Sequence, residues 1–84
     1  MKPNQILKNT FLEVVDNQIR DNDPPETKEN FDRLIADGIS EEDAKKYIAQ
    51  AICIEIWDAM QNHKEFNKQR YIANLKRLPL EPRE

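Results

Sequence analysis

A single glycine, Gly38, stands in a chain of 84 residues that also holds five prolines. Two-residue hairpin turns and bulges draw heavily on glycine for positive φ, so this scarcity argues against a hairpin-rich β architecture. What it leaves is an all-α chain, a compact four-helix bundle or an orthogonal helical array. At 10.0 kDa there is room for one domain over residues 1–84, because two halves would each fall near or below the size at which a core sustains itself. Surface scaling takes roughly 64% of the unfolded chain's area out of water at this mass, so most apolar side chains are committed to packing. Little sequence is left over for a site.

Periodicity and punctuation divide the chain into helices over about residues 4–20, 24–37, 41–61 and 67–78, with a loosely held tail at 79–84. Leu7, Phe11, Val14, Val15 and Ile19 form one apolar face of the first helix. The second follows Asp21-Asn22-Asp23-Pro24-Pro25. There Asp23, with Glu26 three residues on, has the spacing of an N-cap and capping box, and Pro24 stands at the first helical position. Phe31, Leu34 and Ile35 point inward. Gly38 sits where a left-handed residue closes a helix, Ile39 folds back after it, and Ser40 with Asp43 marks the next N-cap. The third helix has the widest apolar arc, Ala44, Ile48, Ala51, Ile52, Ile56 and Ala59, and is therefore the central one. Phe66, Asn67 and Tyr71 fit a hydrophobic staple around an Asn N-cap, and Pro79 stops a fourth helix carrying Tyr71, Ile72, Leu75 and Leu78.

The catalytic side chains are few. One Cys excludes an intramolecular disulfide and fits a reducing, cytoplasmic compartment, and the sequence has no signal-like or membrane-spanning apolar run. Cys53 and His63 lie ten residues apart on one helix, about 15 Å of rise, too far for a nucleophile and its base. Two Cys/His side chains fall short of a structural zinc site, and the only serine, Ser40, is already a cap. Asp21, Asp23 and Asp32 begin a calcium-loop register that fails at Pro25, at Glu26 and at Asp32 itself. No metal and no cofactor is expected.

Charge is uneven: residues 1–63 carry seven Lys/Arg against thirteen Asp/Glu, and residues 64–84 carry six against three. The spacing of the second and third helices around Gly38 resembles a helix-turn-helix. Its would-be recognition helix opens Glu41-Glu42-Asp43, which phosphates repel, so DNA is not an expected partner. Lys68, Arg70, Lys76, Arg77 and Arg83 solvate the last helix and pair with the acidic body.

Glu55 is the residue out of place. Stepping 100° per residue puts it about 20° from Ala44, in the middle of the apolar face. A carboxylate there is either paired, with Gln18, Arg33, Arg70 or a helix terminus, or it faces a crevice as a ligand or acid/base group beside Asn17 and Gln18.

Two resemblances attach to these residues. Leu34-Ile35-Ala36-Asp37-Gly38-Ile39-Ser40, followed by Glu42, Ala44 and Ile48, is locally similar to the first loop and second helix of ubiquitin-associated domains. Asp37 and Ile39, however, replace the Met and aromatic residue of the contact loop. More widely, Asn17-Gln18, Asn22-Asp23-Pro24-Pro25-Glu26, Arg33-Leu34, Gly38, Ser40, Glu55-Ile56-Trp57, Phe66 and Arg70-Tyr71 resemble a group of small prokaryotic domains of unknown function, over about residues 11–78. Histidines on the first and third helices of some of its members imply metal binding, and this chain has Leu12, Glu42 and Lys46 at those places. The resemblance implies a fold-sized unit and supplies no activity.

The sequence thus points to a non-catalytic helical domain that acts through protein contacts, with another protein or as a homodimer and without a membrane. Trp57, Ile54 and Met60, which lie off the central arc, are its interaction surface. The competing expectation is a metal- or small-ligand-binding protein built on Glu55 with Gln18 and Asn17.

Overall fold

Why each helix starts and stops is visible in its terminal residues. A computed structural model describes residues 3–80, and side chains from residue 9 onward. Its order is α1 (Pro3–Asp21), α2 (Pro25–Ala36), α3 (Glu41–Asn62) and α4 (Lys68–Arg77), and no strand occurs among the described residues. Leu7, and the tail beyond Leu80 with Arg83, lie outside the described side chains.

The α2–α3 corner is built as its sequence predicts. Gly38 takes φ +93°, its N–H donates to the Ile35 carbonyl at 3.0 Å, and the Ile39 N–H donates to the Leu34 carbonyl at 3.0 Å. These two bonds form a Schellman closure, with Ile39 folded back against the core. Ser40 then caps α3 by accepting the Asp43 N–H on Oγ at 3.1 Å, and Asn67 caps α4 by accepting the Arg70 N–H at 3.0 Å. The staple also forms, since the Phe66 and Tyr71 rings meet edge to face at 5.4 Å.

The start of α2 differs from the expectation. Asp23 makes no side-chain cap; the N-cap is Pro24, extended at ψ 152°, and Pro25 takes the first helical turn. The reason is the second proline, whose ring forces the residue before it out of the α region and so displaces the helix start by one. The end of α1 adds a device that the glycine count hid. Asn22 adopts φ +52°, its N–H reaches the Ile19 carbonyl at 3.3 Å, and the Asp23 N–H reaches the Gln18 carbonyl at 3.1 Å. This is the same closure with Asn in the left-handed position, and α3 ends on another left-handed residue, His63 at φ +51°.

Around these corners the core gathers Val15 from α1, Phe31 and Leu34 from α2, Ala44, Ile48, Ala51 and Ile52 from α3, and Tyr71, Leu75 and Leu78 from the α4 end. Ile35, expected inside, is 38% exposed. The buried stripe of α2 runs through Thr27, Asn30, Phe31 and Leu34, and Ile35 lies about 80° around the helix from Thr27, at its rim. Helix α3 packs on the other three helices, as its wide arc implied, and so does α2. The backbones of α1 and α4 do not meet among the described residues.

Two substitutions test this closure chemistry by chemical denaturation. Asn22→Gly should stabilise by about 0.5–1 kcal/mol because it relieves a left-handed non-glycine residue. Gly38→Ala should cost about 1 kcal/mol through backbone strain alone, because an added Cβ would meet nothing within 4 Å.

Candidate functional site

Each element of the site begins with a polar group on an otherwise apolar face. Glu55 is 1% exposed and continues the buried line of α3 through Ile48 and Ile52. Its charge is met by Arg70 in the first turn of α4: Nε donates to Oε2 at 2.7 Å and Nη2 to Oε1 at 2.9 Å, a bidentate fork. Nη2 also donates to Asp58 Oδ2 at 2.9 Å, and the Asn62 amide donates to the other Asp58 oxygen. Hydrogen bonds from Glu55 and then Asp58 hold the guanidinium firmly protonated, and those from Arg70 and then Asn62 lower the Asp58 carboxyl below its ordinary value. Of the partners the sequence offered Glu55, the structure thus brings up Arg70.

Gln18 belongs to a different cluster. Its Oε1 accepts from Thr27 Oγ1 at 2.7 Å and from Tyr71 OH at 2.8 Å, and the two hydroxyls are 2.9 Å apart. Thr27 and Tyr71 are fully buried and Gln18 is half-buried, so three polar groups from α1, α2 and α4 satisfy one another at the edge of the core. Asn17 is half-buried. The hydrogen bonds of Glu55 and Gln18 thus form two separate sets. Burial lifts the Tyr71 phenol to about 12, against a smaller opposing effect of the Thr27 hydrogen bond.

Arg33 makes a third connection that sequence reasoning missed. Asn30, 7% exposed, donates to the Glu26 carbonyl at 2.8 Å and accepts from Arg33 Nε at 3.2 Å. So oriented, Arg33 Nη2 donates to the carbonyls of Leu75 and Leu78 at 3.1 and 3.0 Å, which closes the C-terminus of α4. The signal available in sequence was only a basic residue one turn before Gly38.

Near the Glu55–Arg70 pair, large apolar side chains of α3 reach the surface. Trp57 is 63% and Met60 69% exposed, while Ile54 is half-buried. A groove of about 210 Å³ runs between α3 and the start of α4, lined by Ile54, Trp57, Asp58, Gln61, Asn62 and Arg70. Two members of the expected interaction surface are therefore largely exposed to solvent, and the third forms a wall beside Trp57.

Cys53 is half-buried on α3 and His63 is exposed just past that helix's end, so the unbroken helix keeps them apart. Among the described residues no group of three or more His, Cys, Asp or Glu side chains is arranged to hold a metal ion, and no helix is long and apolar enough to cross a membrane.

Removing Arg70 should strand Glu55 as an unpaired buried carboxylate. Arg70→Ala is expected to cost about 3 kcal/mol, the low end for a broken buried pair because part of the guanidinium is hydrated. Glu55→Gln added to Arg70→Ala should recover part of that loss at neutral pH, as read by urea denaturation. The phenol gives a pH signature of its own. With its folded value raised above the unfolded value near 10, Tyr71 favours the fold fully below pH 10, and stability falls by roughly 2–3 kcal/mol as pH rises to about 12. Tyr71→Phe should flatten that alkaline slope.

Compared with protein-family models, with curated proteins and with solved structures, the chain finds no match.

Proposed function

We propose that this protein is a non-catalytic protein-interaction domain whose contact surface is the C-terminal half of α3. The observation that carries the reading is the exposure of Trp57 and Met60 together beside a groove that Ile54 helps to line. In a chain this short, apolar side chains are needed inside, and two large ones left in water on adjacent turns cost solubility with no return in packing. Aromatic and Met side chains are also the types enriched at interfaces, where they supply contact area for few frozen rotors.

The chemistry beneath the surface supports the same reading. Arg70 has its fork taken by Glu55 and a further bond to Asp58, and both Asp58 oxygens are engaged. Arg70, held protonated, and Asp58, held ionised, are poor proton donor and acceptor at neutral pH, whereas the paired groups make a firm floor for a contact surface. The described residues provide the alternative, a ligand site on Glu55 with Gln18, with no common pocket: Gln18 serves Thr27 and Tyr71 instead.

A residue kept for contact rather than for folding has a thermodynamic mark. Trp57→Ser and Met60→Ser should each shift the unfolding free energy by no more than about 0.5 kcal/mol, unlike the core substitution Leu34→Ala at about 3 kcal/mol. A photoreactive amino acid in place of Met60 should give covalent adducts with protein in the producing cell. The same group in place of the exposed Lys28 on α2 should not. Equal labelling from the two positions, or none from position 60, would overturn the reading.

A further inference from the structure

We infer that α4 is an exchangeable arm: it detaches at residues 63–67 and docks on the α1–α2–α3 body of a second copy, so that two chains trade their fourth helices. This exchange is separate from the contact surface proposed above and uses none of its side chains.

The three corners of the fold are built unequally. Between α1 and α2 the Asn22 and Asp23 amides donate to the Ile19 and Gln18 carbonyls, and the Pro24 and Pro25 rings fix the backbone that follows. Between α2 and α3 the Asp37, Gly38 and Ile39 amides donate to the Arg33, Ile35 and Leu34 carbonyls. Both turns are therefore locked by main-chain bonds and by residues that stop a helix.

Residues 63–67 share neither device. The segment contains no Gly and no Pro, and its amides donate no main-chain bond that closes the corner. His63 opens it at φ +51°, which is unfavourable for a residue with a Cβ, and every residue from Gln61 to Gln69 is exposed. Two side-chain contacts form there, the Asn67 cap on the Arg70 amide and the Phe66–Tyr71 ring pair. Both join the segment to α4 rather than to the body, so they travel with the helix. A short, strained connection without a lock is the kind that lets the element after it leave.

What the helix leaves behind decides where it goes. An empty body strands the Glu55 carboxylate and the Thr27 hydroxyl and opens the core that Tyr71, Leu75 and Leu78 fill. Unmet buried polar groups make that state unfavourable, so the place has to be filled again. Its occupant needs an arginine in the first turn for Glu55 and Asp58, a tyrosine next to it for Gln18 and Thr27, and last carbonyls aligned on Arg33. The α4 of a second copy carries all of these by identity. Every contact of the closed chain is then remade between chains, and the two forms differ chiefly at residues 63–67, where opening frees His63 from its left-handed conformation. The attachment buries what α4 already buries, so its strength does not depend on any exposed patch. Release requires both arms to come off, and the exchanged dimer therefore separates slowly.

The test is to equilibrate the protein at about 1 mM in urea near its unfolding midpoint, return it to buffer, and measure its mass after dilution to about 10 μM. Part of it should run at twice 10.0 kDa and persist for hours. His63→Gly relaxes the closed corner and should lower the dimer yield roughly threefold. Trp57→Ser should leave the yield unchanged, which separates arm exchange from a contact through that side chain. Deleting Lys64 and Glu65 leaves a connection too short for α4 to fold back, and that chain should be a helical dimer even when dilute. A 10.0 kDa species alone after the concentrated treatment would overturn the exchange, and so would a dimer that separates at once on dilution. Equal yields from the parent chain and His63→Gly, a yield lost in Trp57→Ser, or a shortened chain that is a folded monomer would overturn it as well. If the shortened chain does not fold, the yields of the parent chain, His63→Gly and Trp57→Ser decide alone.

Discussion

A ten-residue helix does not hold itself together in water, and α4 is such a helix. Nucleation is unfavourable and too few backbone bonds follow to recover it, so its stability has to come from the rest of the molecule. Three side-chain connections contribute to it, two at the first turn and one at the last. Arg70 ties the first turn to Glu55 and Asp58 of α3. Tyr71 reaches across to Gln18 and Thr27. Arg33 closes the last carbonyls from α2. Leu75 and Leu78 add the apolar part of the attachment, between the polar ones. The backbones of α1 and α4 do not meet among the described residues, and the Tyr71 side chain reaches across to α1.

These attachments are polar on the α4 side because four of its ten residues, Lys68, Arg70, Lys76 and Arg77, are charged. A buried polar group is tolerable only when satisfied, since leaving it unmade costs more than making it gains. That asymmetry gives specificity: a slipped α4 would strand Glu55, Gln18 and Thr27 at once. An all-apolar junction of the same area would tolerate several registers.

What could be read from the sequence was whatever depends on neighbours within about one turn. Gly38, Ser40, Asn67 and the Phe66–Tyr71 staple relate residues three to five apart, and each formed as its spacing implied. The Asp23 cap failed for an equally local reason, the conformational demand that Pro25 places on Pro24, which outranked the side chain's capping preference. Long-range pairings were another matter. That Glu55 needed a partner followed from its position on the apolar face; that the partner is Arg70, with Gln18 given to Tyr71 and Arg33 to the α4 carbonyls, depends on where α4 lies, and no spacing in the chain encodes that. Ile35 shows the same limit, since only the packing angle of α2 decides which rim residue is left in water.

The surface inherits its rigidity from these hidden pairings. Arg70 lines the groove beside Trp57 and also anchors α4, so the groove exists only while the helix is docked. Coupling of this kind lowers the entropy cost of any contact made at the proposed surface, because the walls of the groove are fixed beforehand. It also separates two demands that compete in small proteins. Trp57 and Met60 contribute little to the core and are free to vary for recognition, while Glu55 and Arg70 beneath them are constrained by burial. A carboxylate at the centre of an apolar face, which in sequence resembles the start of an active site, serves here to fix the helix that frames the groove beside Trp57.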